Sequence, residues 1–219
     1  MGKRVGVVFS GCGVFDGTEI HEAVLTMLYL DRAGAEMIGA APDVDQIHVI
    51  NHMTHEEMDE QRNVMIESAR ITRGNIVDLK TLQADEIDAL IIPGGFGAAK
   101  NLGDFALKGP DSMVHPQVRR ILREMHASAK PIGALCIAPT LLAKALSGAL
   151  PSVTIGQDAG TAAAIESMGA RHHVCKVDEI HMDAQNKIVT TPAYMLGPGI
   201  KDVAVGIEKL VNQVLALIN

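Results

Sequence analysis

Tryptophan is absent from the 219-residue chain, and two Tyr and four Phe are its only other aromatic rings apart from histidine. Its core therefore has to be built of Ala, Ile, Leu, Val and Met, and the 11 methionines read as core filler. With so few rings there is no stacking platform for single-stranded nucleic acid. A basic cluster is also missing: 19 Lys and Arg against 26 Asp and Glu leave a formal charge of −7, so no nucleic-acid partner is expected. No run of 18 apolar residues occurs, so no membrane-spanning helix and no membrane partner are expected. The opening stretch MGKRVGVVFSGCG carries no signal-peptide cleavage pattern. The three cysteines, Cys12, Cys136 and Cys175, are odd in number, widely spaced and without a C-x-x-C. They make neither a disulfide framework nor a zinc ligand set, and predict a reducing compartment, read as the cytoplasm.

What is present is a sequence of βα alternations. Residues 3–10 predict a buried strand, followed by the loop GCGVFDG and a helix from about Thr18 to Gly34 that Thr18 would cap. Ala35 to Ala41 predicts a second strand, making a βαβ unit of a parallel sheet. The pattern loosens over 43–80, where Ile47 to Ile50 reads as a short strand and Glu56 to Ile71 as a helix. Asp88 to Pro93 is a fully apolar strand running into Gly94, Gly95 and Gly97, and a polar, irregular stretch extends to Pro116. An amphipathic helix is predicted over Val118 to Ala129, then the strand and helix of KPIGALCIAPTLL to about Leu146. Beyond Gly148 come a strand at Val153 to Ile155 and a helix at Thr161 to Met168. Short, partly antiparallel strands follow at 172–177, 179–182 and 187–191, with Asn186 in the last turn. A long amphipathic helix over 201–218 ends the chain. No linker or repeat interrupts it, so residues 1–219 read as one α/β domain.

The chemistry centres on KPIGALCIAPTLL. Ala134 and Ala138 flank Cys136 at two residues on either side, as a sharp strand-to-helix turn requires, and this spacing predicts a nucleophile elbow with Cys for Ser. A thiol at a helix N-terminus is expected to be shifted towards thiolate; the alternative is an inert buried cysteine. Gly94-Gly95 at a strand end predicts converging N–H groups, which beside a nucleophile would form an oxyanion hole with the Ile137 N–H. Glu22 and Glu19 on the first helix compete for an acid/base role, the alternative for each being a solvated helix face. Asp16 reads as a turn or helix-start residue, Cys12 as a packing residue or a neighbour of Cys136, and Cys175 as structural. The spacing of His52, His55 and Glu56 does not match H-E-x-x-H, and neither glycine-rich loop fits a dinucleotide or P-loop motif, so no metal is expected and nucleotide binding is only weakly supported.

SGCGVFDGTEIHEAVLT, APDVDQIHVINH, ARITRG, IIPGGFGAAKNL, CIAPTLL and KIVTTPAYML together resemble the ElbB-type glyoxalase family over nearly the whole chain. That family was once linked to isoprenoid biosynthesis. It is similar to the PfpI-like branch of the class I glutamine amidotransferase-like superfamily. The resemblance implies a three-layer flavodoxin-like sandwich with a mainly parallel sheet and nucleophile elbow. It also implies catalytic Cys136 and Glu22 and oxyanion-binding Gly95 and Ile137; Cys12 and Gly94, from their places in the neighbouring glycine-rich loops, read as second-layer candidates. The Arg32-Ala33-Gly34 register favours Glu22 over Glu19. The implied activity is cofactor-independent conversion of glyoxal, or a related small dicarbonyl, to the 2-hydroxy acid through a Cys hemithioacetal. A homodimer is implied by the superfamily alone.

Two departures stand out. Ile137 occupies the position where the peptidase branch has His, and Gly156-Gln157-Asp158 stands where some deglycases carry a histidine. A Cys-His-acid triad is not visible, which weakens peptidase and glutaminase readings because an amide needs a proton for its leaving amine. An aldehyde needs less help. The alternatives are a protein deglycase, or a redox-sensing protein using the same cysteine.

Overall fold

The computed structural model describes residues 2–218. In chain order the elements are β1 (Arg4–Val8), α1 (Ile20–Arg32), β2 (Glu36–Ala41), α2 (Val64–Thr72), β3 (Val77–Asp78), β4 (Ala89–Ile92), α3 (Phe96–Lys100), α4 (Phe105–Lys108) and α5 (Pro116–Ala127). They continue with β5 (Ile132–Leu135), α6 (Pro139–Ala145), β6 (Ser152–Gly156), α7 (Ala159–Ser167), β7 (Arg171–Val174), β8 (His181–Asp183), β9 (Ile188–Thr191) and α8 (Ile200–Ala216).

Seven strands form one sheet in the order β3-β2-β1-β4-β5-β9-β8, parallel except for β8 against β9. β6 and β7 pair separately, in parallel. The central strands are apolar on both faces because helices cover both, as a parallel sheet demands. One face packs Leu90, Ile92 and Ile132 against α5 and α6 through Val118, Ile121, Met125 and Leu142. The other packs Val5, Val7 and Ile91 under α1 and α8 through Ala23, Leu30, Ile207, Leu210 and Val214. The result is the expected α/β sandwich. Strand order reverses between β1 and β4, and the crevice at such a reversal, outside the carboxyl ends of the strands, is where open α/β sheets bind ligands.

Several expectations are revised. α1 starts at Ile20 and is capped by Glu19, whose carboxylate accepts from the Glu22 N–H at 2.7 Å. Thr18 instead accepts from the Ser10 N–H at 2.7 Å and ties the β1 loop to its own far end. The helix expected over 56–71 begins only at Val64, capped by Asn63. The stretch before it is a polar excursion fastened by hydrogen bonds from Ile50 N–H to Asp16 (2.8 Å) and from Ile47 N–H to Asn101 (3.0 Å). Asp16 is accordingly a buried anchor. The stretch read as irregular up to Pro116 holds α3 and α4.

Helix α8 approaches β5 where Gly133 stands: a Cβ there would lie 3.0 Å from Leu210 Cδ2 and 3.1 Å from Val214 Cγ2. Leu210 is fully buried in that contact. Leu210→Ala is expected to lower unfolding stability by about 2–5 kcal/mol, read from the urea midpoint at constant slope.

Candidate active site

Four carboxyl-end loops converge here. β5 ends at Leu135 and Cys136 follows with φ of 59°, a left-handed backbone that a non-glycine residue adopts only under constraint. The Cys136 N–H donates to Thr191 O at the end of β9 (3.0 Å), and the Ala138 N–H closes the turn on Leu135 O (2.9 Å). Ala134 and Ala138 are fully buried. The elbow thus forms as its spacing predicts, with α6 starting three residues on.

Glu22 enters from the first turn of α1 and is 0 % exposed. Its Oε2 accepts from the Gly94 N–H at 2.8 Å and its Oε1 from the Tyr194 N–H at 3.1 Å. The Cys136 thiol donates a further hydrogen bond to the same carboxylate. Burial, and secondarily the nearby Glu19 charge, push the Glu22 carboxyl up to about 7 against these bonds. The Gly95 and Ile137 N–H groups are directed at the Cys136 sulfur. Glycine is obligatory at both positions of the pair. A Cβ on Gly94 would lie 2.7 Å from Glu22 Oε2 and 2.9 Å from Cys136 Sγ, and Gly95, with φ of 95°, abuts the backbone of Gly17 and Glu19.

The expected thiolate is corrected. Burial first, and the Glu22 charge second, raise the Cys136 thiol well above its ordinary value, and the two N–H groups only partly offset them. A single short helix end is outweighed by desolvation and a carboxylate in contact.

The sulfur opens on a pocket of about 360 Å³. Its walls include Val14, Phe96, Ala99, Phe105, Ile137 and Met195, with Glu19, Thr161 and Tyr194 as its polar or charged members. Glu19 is therefore neither solvated nor in the place of Glu22: it caps α1 and forms part of the pocket wall. Cys12 stands apart, half-buried, with Glu67, Arg70, Asp16 and Arg62 as its charged neighbours, and it is not among the pocket residues. Cys175 is buried. Sequence reasoning missed Tyr194, which holds Glu22 through its N–H and shares a 2.8 Å hydrogen bond with His21 Nδ1 through its hydroxyl. Its place in TTPAYML, directly after a strand end, was the available signal.

The DJ-1/PfpI family pattern matches residues 12–155. The chain belongs to the DJ-1/PfpI family. A human protein of similar sequence, glutamine amidotransferase-like class 1 domain-containing protein 3, mitochondrial, is 50% identical over 98% of this chain and 83% of its own. The zebrafish ES1 protein, mitochondrial, is 38% identical over 88% and 77%. The structure of an Ehrlichia chaffeensis isoprenoid biosynthesis protein with an amidotransferase-like domain superposes with a TM-score of 0.93 at 35% identity, covering 99% of this chain and all of the other. Candida albicans glyoxalase III, a more remote structure, shares the fold at a TM-score of 0.62 and 14% identity, covering 99% and 98%. The cytoplasmic expectation is corrected by the mitochondrial names of the human and zebrafish relatives, and of a rat one. Unpaired cysteines do not choose among compartments.

Because Glu22 is driven from 4.5 to about 7 on folding, the folded state binds its proton more tightly than the unfolded chain. Its contribution is fully present below pH 4.5 and is lost as pH rises through about 7, amounting to about 3 kcal/mol. The unfolding free energy of the DJ-1/PfpI chain, followed by urea titration from pH 4.5 to 8, should fall more steeply than that of Glu22→Gln. Parallel curves would refute the assignment.

Proposed function

We propose that this protein is an ElbB-type glyoxalase converting a 2-oxoaldehyde to the 2-hydroxy acid, with glyoxal giving glycolate. The observation that supports it most is the Cys136–Glu22 contact: a fully buried carboxyl with its pKa near 7 lies against a thiol that borders an open pocket. The DJ-1/PfpI family includes glyoxalase and deglycase enzymes.

In this reading the Cys136 thiol gives its proton to Glu22 as sulfur attacks the aldehyde carbon, so no standing thiolate is required. A C–S bond forms, and the carbonyl oxygen takes up negative charge facing the Gly95 and Ile137 N–H groups. Protonation of that oxygen gives the hemithioacetal and returns Glu22 to the carboxylate. Glu22 then removes the remaining hydrogen on that carbon as a proton and returns it to the neighbouring carbonyl carbon. As the hemithioacetal's hydroxyl proton passes to the oxygen on the second carbon, the first carbon becomes a thioester carbonyl and the second an alcohol, one oxidised and the other reduced with no net redox change. Water cleaves the thioester, freeing the 2-hydroxy acid and the thiol. The raised thiol pKa works against the redox-sensing alternative, because peroxide reacts with thiolate. Deglycase action would use the same pair on a glycated amine.

Glyoxal turnover in metal-free, thiol-free buffer is the direct test. Cys136→Ala should abolish it, and retention of activity would remove the mechanism. Glu22→Gln should lower kcat by about 10²–10⁴-fold. In the wild type, kcat/KM should rise with pH through about 7 as Glu22 loses its proton; a profile flat between pH 6 and 8 would contradict the general-base role.

A further inference from the structure

Glyoxal has four non-hydrogen atoms and the volume of about two or three waters, below roughly 100 Å³. The pocket over Cys136 holds about 360 Å³. An apolar cavity of about 150 Å³ is already enough for a benzene ring. Phe96, 48 % exposed overall, lines this pocket, and Phe105 and Met195 are only partly buried beside it. Three large apolar side chains thus stand open around the one reactive sulfur, where a small hydrated dicarbonyl would leave them wet. Charge points the same way. No Lys or Arg is among the pocket residues, while Glu19 is in the wall and Glu22 lies beneath. A carboxylate or phosphate on the substrate would face two acidic groups, with Lys100 Nζ, 5.6 Å from the Phe96 ring centroid and outside the pocket wall, as the cation beside that ring.

Resting on the glyoxalase reading, we propose that the preferred substrates are uncharged 2-oxoaldehydes bearing an apolar alkyl or aryl group, seated on Phe96, Phe105 and Met195. The dicarbonyl head reaches Cys136 and the substituent points outward past Ala99 and Ala106. Water supplies the only other atoms of the product, so the step balances as it does for glyoxal.

The test is kcat/KM for methyl-, propyl- and pentylglyoxal, whose carbonyls have the same electronic character, together with phenylglyoxal and its 4-carboxy derivative. Each buried methylene should raise kcat/KM by about fourfold, and the carboxylated aryl compound should fall at least tenfold below phenylglyoxal. Ala106→Phe places a ring in the pocket from an exposed helical position, so folding is spared. It should flatten the pentyl-to-methyl ratio towards one. A flat or falling alkyl series with measurable turnover overturns this proposal and leaves the glyoxalase reading standing. A rising series that Ala106→Phe does not alter overturns the placement of the substituent. No turnover of any member overturns both readings.

Discussion

The site depends on a carboxylate kept inside the protein against its own desolvation. Glu22 lies fully buried, and every bond that offsets this comes from a different part of the fold: Gly94 N–H after β4, Tyr194 N–H after β9 and the Cys136 thiol after β5. Leaving such a charge without partners would be severely destabilising. The three loops are therefore held in register by the same group they would serve. Gly94 shows the tightness of the arrangement, since a methyl group there would displace both the sulfur and the carboxylate.

The left-handed backbone at Cys136 belongs to the same constraint. It is fixed by the Cys136 N–H donating to Thr191 O and by the Ala138 N–H donating back to Leu135 O. α1 brings Glu22 to this point because Glu19 caps the helix through the Glu22 N–H, so one acidic residue orients the other. The Glu19 charge then adds to the rise in the Glu22 pKa. The N-terminal cap and the site chemistry are in this way one structure.

Much of this is legible in the amino-acid sequence. Gly94-Gly95 after an apolar strand, small residues flanking Cys136, and the steady rhythm of α5 and α8 are local signals, and local signals survive folding. What failed was non-local. The ionisation of Cys136 was inferred from its helix alone, whereas it is governed by burial and by a carboxylate 114 positions away in sequence (136 − 22). Tyr194 acts through its backbone N–H, which any residue but proline possesses, so its identity carried little information. The stretch ahead of Val64 was overread as helix because its apolar residues are few and its order comes from side chains of Asp16 and Asn101 elsewhere. The compartment was inferred from thiol chemistry, which cannot tell one reducing environment from another; relatives with mitochondrial names supplied that correction.

The absence of a histidine after Cys136 fits the proposed chemistry better than it first suggests. Amide cleavage needs a base for the thiol and, later, an acid placed at the leaving nitrogen on the other side of the tetrahedral centre. Isomerising an oxoaldehyde has no leaving nitrogen. Its proton leaves one carbon and returns to the next, about a bond length away, so one carboxyl poised near neutrality can accept and return it. A second titratable group beside the sulfur would add another competitor for that proton. Ile137 contributes an N–H towards the sulfur and an apolar side chain to the pocket wall. In the proposed chemistry that combination would keep the local dielectric low around the single proton being moved.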